Sequence, residues 1–462
     1  MQGEFNKIKL LVKIKWEEIF ILNEFNQYST ISGYKEISLL NKYLREKFRT
    51  KLFKYISVRY DHLEGFPDYF EGSKDNEIQD GNLAKLSIKQ LEGIYNFKIN
   101  KINPFVMELV KEAKLFSNYL ESLTLLFLGR QCYFLFSQIC NFNQLTTLSI
   151  CGCVVGLEEF SKTMLKLVNL EFLILNEVEF VKFQNDGDID RTLVFPSSLK
   201  VLDYSSLCIN ITDLTKNGYD FIFHYKASII QNTFYFAPHI LPELEKLKFI
   251  DYDYESEFLP LFLALNPQLK SLNVLCNSLD LECLFTLSNN NNIKHLSIEF
   301  GDFDFGFVSE ESLPPLSSLI FIEIHKITLS SYLTAYELIS SCENLEGIEL
   351  EVECYDEEFV NNIINKLSKL KSFKLNILVI SETKFNLNMF SSIESLAISL
   401  NSTKELIEFN LPKHSFNTKF IKLQMKNWYE DSFNLIKESQ SKDSNWHIKL
   451  LGNNIICKHI GN

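Results

Sequence analysis

Three aspartates alternate in the run NDGDIDRT, at Asp186, Asp188 and Asp190, and carboxylates at every second position are how a short loop wraps a calcium ion. An EF-hand loop counted from Asp186 needs Gly at its sixth position and Glu at its twelfth. Arg191 and Ser197 stand there, so the run reads as a solvated loop. The eight histidines are scattered, none of them three or four residues from another or from a cysteine in zinc-ligand spacing. Gly301 to Gly306 lacks the Lys-Ser/Thr that completes a phosphate-cradling loop, and HExxH, GxSxG and CxxC are all missing. The expectation is a chain with no catalytic residues, no metal and no cofactor, and an enzyme on a β/α framework is the weakest of the function classes.

What the sequence does contain is self-similarity. The pattern apolar-x-x-apolar-x-apolar opens at Leu83, Leu120, Leu145, Leu170, Leu199, Leu244, Leu269, Ile293, Leu319, Leu345, Leu370, Ile393 and Phe420, thirteen copies, with a worn fourteenth at Asn445. After Leu120 the starts differ by 25, 25, 29, 45, 25, 24, 26, 26, 25, 23 and 27 residues. Within each copy the fourth and sixth positions are apolar with an open position between, the period of a short strand that buries one face. About 17 residues then lead to the next copy, enough for a crossover that lays a parallel strand beside the first. Connectors such as VGLEEFSKTMLKLV, ESEFLPLFLALN, LTAYELISSC and DEEFVNNIINKLSK carry helical spacing.

This skeleton resembles the leucine-rich repeats. The period near 25 residues and the helical connectors are similar to the class found in substrate receptors of ubiquitin ligases. The resemblance implies an α/β solenoid of about 13–14 strand–helix repeats over residues 83–462, with a C-terminal cap. Repeats of this kind place Asn or Cys beyond the sixth position to tie down the departing backbone. That slot holds Cys153, Asn277 and Asn401, but also Val178, Leu207, Ile327 and Glu353. A closed β/α barrel is the structural rival, but it closes at eight strands and cannot hold thirteen units. The step of 45 after Leu199 leaves residues 205–243 as either a degenerate repeat or an insertion. Residues 61–82, polar and Gly-bearing, read as a joint.

Residues 1–60 differ in character. Trp16, Ile19 and Phe20 recur at helical spacing, as do Leu40, Tyr43, Leu44 and Phe48, which predicts two or three short amphipathic helices. A plain reading is an end cap for the solenoid, which every repeat array needs. The segment also resembles a degenerate F-box. EEIF at Glu17–Phe20 is similar to the end of its first helix, and ISLLNKYLREKFRTKLFKYISVR to its central and final parts and the strand that leads into the repeats. The family's opening Leu-Pro is replaced by Leu11 and Val12. The resemblance implies that Trp16, Ile19, Phe20, Leu39, Leu40, Tyr43, Leu44 and Phe48 contact the adaptor subunit of a cullin-type ligase.

Charge divides along the same line. Residues 1–60 hold twelve Lys and Arg against six Asp and Glu, so the remainder of a chain of net charge −13 carries −19. Phosphate affinity needs clustered cations, which makes nucleic acid a poor partner for the main body. No stretch reaches the ~18 uncharged apolar residues of a membrane span. The ten irregularly spaced cysteines read as reduced core residues of a cytoplasmic or nuclear protein.

Function is then expected on the inner face of the strands, where the third, fifth and seventh positions of neighbouring repeats line up. His295, Glu299, Phe321, Glu323, His325, Glu349, Glu351 and Lys374 form the candidate target-binding set, four glutamates beside an aromatic, suited to a basic segment. Two readings follow. In one, an F-box/leucine-rich-repeat protein recruits the ligase adaptor and cullin assembly through its head and captures an unknown protein substrate for ubiquitination. In the other, a free-standing scaffold binds a partner without any ligase.

Overall fold

The computed structural model describes residues 54–59, 117–130, 132–183, 193–214, 232–251, 257–301, 313–379, 384–401, 408–412, 417–425 and 446–460, with single positions 107, 111, 114, 186 and 221. The adaptor-contact candidates Trp16, Ile19, Phe20, Leu39, Leu40, Tyr43, Leu44 and Phe48, the joint 61–82 and the motif at Leu83 lie outside the described residues.

The described chain is a ribbon of parallel strands: β1 (Tyr55–Arg59), β2 (Ser122–Gly129), β3 (Thr147–Gly156), β4 (Phe172–Asn176), then, beyond the outer strand β5 (Glu179–Phe183), β6 (Val201–Ser205). Beyond two further outer strands, β7 (Cys208–Thr212) and β8 (Asn232–Thr233), the ribbon resumes as β9 (Lys246–Ile250), β10 (Ser271–Leu275), β11 (His295–Glu299), β12 (Phe321–Ile327), β13 (Gly347–Cys354) and β14 (Ser372–Val379). After the short outer strand β15 (Lys384–Asn386) comes β16 (Ser395–Leu400), and after its outer partner β17 (Glu408–Asn410) comes β18 (Phe420–Met425). Each motif lies directly beside the next: Leu123 pairs with Leu148, Leu148 with Leu173, Leu272 with Leu296, Ile322 with Ile348 and Leu375 with Ile398. The first, fourth and sixth positions therefore stack in columns, and from Leu120 to Ile398 every one of them is buried. Burial of a whole Leu or Ile contributes about 1.5–3 kcal/mol, and repetition makes these columns the core. Among the described residues β1 pairs with β2 alone, so the ribbon does not close into a barrel.

Three expectations change and one open alternative is decided. The fourteenth motif, at Asn445, is no parallel repeat: β19 (Trp446–Leu451) and β20 (Asn454–His459) make an antiparallel hairpin whose second strand lies antiparallel on β18. That hairpin ends the ribbon, because a two-residue turn reverses the chain where the other repeats use a crossover. The thirteenth motif is displaced by two residues. Ser395 pairs with Phe420 and Leu396 with Ile421, so Thr418 holds the first position and Phe420 lies at a third. Thr418 is buried at 1% and its hydroxyl donates to the Phe390 carbonyl at 3.1 Å, which lets a polar residue stand in a leucine column. Residues 205–243 are an insertion, since β6 pairs directly with β9. Finally, β1, expected as the strand that leads into the repeats, is itself a repeat strand that pairs directly with β2 in register from Tyr55↔Ser122 onward.

The insertion and its neighbours build an outer sheet. Val154–Gly156 of β3 pair with β5, β5 with β7, and β7 with β8. Phe160, Phe180 and Phe234 pack between this sheet and the ribbon at ring separations of 4.9 Å. Elsewhere the crossovers are helices: α1 (Cys132–Ile139), α2 (Leu157–Lys166), α3 (Phe258–Leu265), α4 (Leu281–Asn289), α5 (Tyr332–Ser340) and α6 (Glu357–Lys366). All four connectors with helical spacing are among them. In α6 the Asp356 side chain caps the Phe359 amide at 2.8 Å, Glu357 and Glu358 open the first turn and Lys366 closes the last, each favouring the helix dipole. Its buried face is Phe359, Val360, Ile363 and Ile364.

Two regularities of the stack were not legible in the leucines. Second positions of neighbouring repeats form charge pairs along one rim, Lys54–Glu121 (2.7 Å), Glu171–Lys200 (2.9 Å), Glu245–Lys270 (2.6 Å), Glu346–Lys371 (2.9 Å) and Glu394–Lys419 (3.0 Å), a ladder interrupted by the uncharged Thr146 and Ile320. Exposed pairs contribute little energy, but opposite charges directly across a strand pair favour this register over a slipped one. The second regularity is how the chain leaves the strand. At the eighth position Phe127, Gly152, Glu177, Ser206 and Lys326 adopt φ between 52° and 59°, and the ninth residue turns inward as buried Leu128, Cys153, Val178, Leu207 or Ile327. The polar slot is thus filled mainly by apolar side chains. Asn277 leaves its side-chain oxygen without a partner, and Glu353 is exposed because the eighth residue there, Val352, is the buried one.

Candidate binding face

With odd positions of each strand turned away from the core, three files of side chains run across the open face of the ribbon. The third-position file reads His295, Phe321, Gly347, Ser372, Ser395, Phe420. The fifth reads Ser297, Glu323, Glu349, Lys374, Ala397, Lys422. The seventh pairs Glu299 with His325 and, across a bulge in β12, continues as Glu351, Asn376, Ser399 and Gln424. All eight sequence-predicted target-binding residues lie in these files.

The structure sorts their charges. Lys374 pairs with Glu349 at 2.5 Å, and Asn376 donates to the same carboxylate oxygen at 3.0 Å. Lys326, at an eighth position that no file predicted, reaches back to Glu299 at 2.5 Å. Two of the four glutamates are therefore neutralised within the face. The other two, Glu323 and Glu351, flank the His325 ring at 3.8 Å and 4.0 Å. The expected acidic patch is reduced to one focus around His325.

The aromatic component is larger than the sequence suggested. The His295 and Phe321 rings stack at 4.7 Å with 23° between their planes. Phe321 leans over Gly347, where a Cβ would stand 2.4 Å from Phe321 Cδ2, so the ring occupies space that only glycine leaves open. His295 and His325 do not meet. They are third and seventh residues of adjoining strands, four positions or roughly 13 Å apart along the strand direction.

Other candidate chemistry resolves into structure. Asp186 accepts the Phe183 amide at 2.9 Å and closes a turn, while Asp188 and Asp190 lie outside the described residues. Among the described residues no three of His, Cys, Asp and Glu gather where they could hold a metal ion. Burial pushes the thiols of Cys342 and Cys457 up to about 12 and that of Cys208 to about 11, so at neutral pH they pack as small apolar groups. The hydrogen bond from Cys132 lowers the Cys153 thiol, and the same contact together with burial raises Cys132. A hollow of about 340 Å³ on the rim, lined by Glu171, Ser197, Ser198, Lys200, Pro242 and Glu243, is spanned by the Lys200–Glu171 rung of the charge ladder. No described helix is long and apolar enough to cross a membrane.

No protein-family model matches this chain, and no curated protein matches it either. Among solved structures it is similar to an internalin from Listeria monocytogenes str. 4b F2365, at 14% identity and a TM-score of 0.29, over 64% of this chain and 81% of that one. So distant a likeness carries no weight for function, and the repeat architecture rests on the strand register and the buried columns described above.

Proposed function

We propose that this chain is a non-catalytic protein-binding solenoid and, more narrowly, the substrate-recognition subunit of a cullin-type ubiquitin ligase. The observation that carries the first part is the division of labour within each repeat. First, fourth and sixth positions stack the ribbon, whereas third, fifth and seventh positions contribute little to stacking and can vary with a partner. A long file of polar and aromatic side chains on a rigid sheet suits recognition of another protein by many weak contacts.

The ligase reading is supported by the resemblance of residues 14–59 to an F-box, with Leu39, Leu40, Tyr43, Leu44 and Phe48 as the apolar contact with the adaptor. In that arrangement the head recruits the adaptor and the ribbon presents a substrate, so the chain supplies proximity and orientation. The replacement of the family's opening Leu-Pro by Leu11 and Val12 favours the second reading, a scaffold whose N-terminal helices only cap the stack.

Co-expression with the ligase adaptor tests the two. The ligase reading expects the full chain to co-purify with the adaptor, and Leu44→Asp and Phe48→Asp, each confirmed folded by its thermal transition, to abolish the association. A wild-type chain that never associates would leave the scaffold standing and remove the ligase.

A further inference from the structure

We propose that the open face from β11 to β13 is an arginine subsite, built to take the guanidinium of one arginine within an extended basic segment of the bound protein. This rests on the protein-binding reading above and is independent of the ligase. Two observations converge on one place. The His295–Phe321 stack forms an aromatic shelf with His295 as its exposed member, and Gly347 gives that shelf room to lie down. Glu323 follows Phe321 by two residues on the same strand and face. Among the described residues, it and Glu351 have the His325 ring as their only counter-group, while the other carboxylates of this part of the face are matched to Lys326 and Lys374.

The shape of this site discriminates between cations. A guanidinium is planar, so it can lie against the aromatic shelf and present two N–H groups edge-on to one carboxylate. An ammonium is a compact, strongly hydrated charge that would use the carboxylates and gain little from the shelf. Glu323, adjoining the shelf, is the bidentate acceptor. Glu351, beyond His325, adds a second negative charge for the same segment. On the other half of the ribbon the carboxylate of Asp203 is held by Lys248 at 3.3 Å and Ser205 at 2.8 Å, with no aromatic pair of this kind beside it.

The test uses the full chain with fluorescent hexa-arginine and hexa-lysine peptides at physiological salt, read by anisotropy. The expected result is hexa-arginine bound at least tenfold more tightly than hexa-lysine. Phe321→Leu, which keeps apolar bulk and removes the ring, should erase most of that preference. Glu323→Gln should weaken hexa-arginine five- to tenfold and Glu351→Gln less, while Asp203→Asn leaves it unchanged. Equal binding of the two peptides, or Asp203→Asn weakening binding as much as Glu323→Gln, would mean that the general negative charge of the chain attracts cations, and the subsite would be overturned. Peptide display against the full chain separates this failure from that of the broader reading. Binders without arginine that ignore Phe321→Leu remove the subsite and keep the binding ribbon, whereas no binders at all remove both.

Discussion

The stretch from β2 to β6 and the stretch from β11 to β14 are built on one lattice and present different faces. In the first, the open positions are Ser122, Thr124, Leu126, Thr147, Ser149, Cys151, Phe172, Ile174, Asn176, Val201, Asp203 and Ser205, almost without charge. In the second they carry four glutamates, a lysine and two histidines. The exits differ as well. Phe127, Gly152, Glu177 and Ser206 leave through positive φ, and the last three lead into the outer strands. In the second stretch Phe300, Val352 and Ile377 continue straight and are themselves buried at the eighth position, with Lys326 as the exception. The columns that stack are held constant by burial. The exits and the open files are where two halves of a repeat protein become different surfaces.

If the exits are two distinct solutions, the same substitution at the eighth position should have opposite signs in the two halves. Val352→Gly removes a fully buried side chain and adds backbone freedom, and should cost about 3 kcal/mol in urea unfolding. Glu177→Gly relieves a left-handed residue whose side chain is exposed, and should stabilise by about 0.5–1 kcal/mol. Equal signs would collapse the distinction.

The two glycines under aromatic rings offer a second comparison. At Gly152, φ is +59° and a Cβ would stand 2.5 Å from Phe127 Cδ1, so Gly152→Ala meets both backbone strain and a ring, and should cost about 2 kcal/mol. Gly347→Ala meets only the Phe321 ring, which can swing away. Its effect on stability should stay within about 1 kcal/mol while binding of hexa-arginine falls. A larger loss of stability at Gly347 than at Gly152 would show that the Phe321 ring supports the stack.

The smallest effect is expected on the charge ladder. Lys371→Glu places two glutamates across from each other at Glu346, yet both side chains are more than half exposed. The melting temperature should change slightly, more at low salt than at high salt, because screening weakens exposed pairs. A loss as large as that of Val352→Gly would mean that the rim holds the register against slippage, and the leucine columns do not suffice.

Much of the fold was legible because the signal is local. A strand with one buried face must alternate, so Leu148 and Ile150 or Leu350 and its neighbours announce themselves wherever the chain later places them. The four helical connectors were legible for the same reason. The β1 strand was legible as the strand that leads into the repeats but not as a repeat itself: FKYISV from Phe53 has the same apolar spacing, yet it stands 67 residues before Leu120, outside the regular step. The thirteenth motif was misplaced because Phe420 offered an apolar residue in phase, and Thr418 reveals itself as a column residue only through its bond to Phe390. Of the candidate face, the eight residues were legible from periodicity, but Lys326, Gly347 and the His295–Phe321 stack acquire meaning only beside their neighbours.

That division has one physical cause. Which side of a strand a residue faces is decided by the alternation of its own backbone, so the buried columns and the open files were determined by the sequence alone. Which residue stands across from it depends on which strand comes to lie alongside, and insertions, bulges and exits at positive φ set that adjacency. The cancellation of Glu299 by Lys326 and of Glu349 by Lys374, and the isolation of Glu323 and Glu351 around His325, were decided only when the strands were laid side by side.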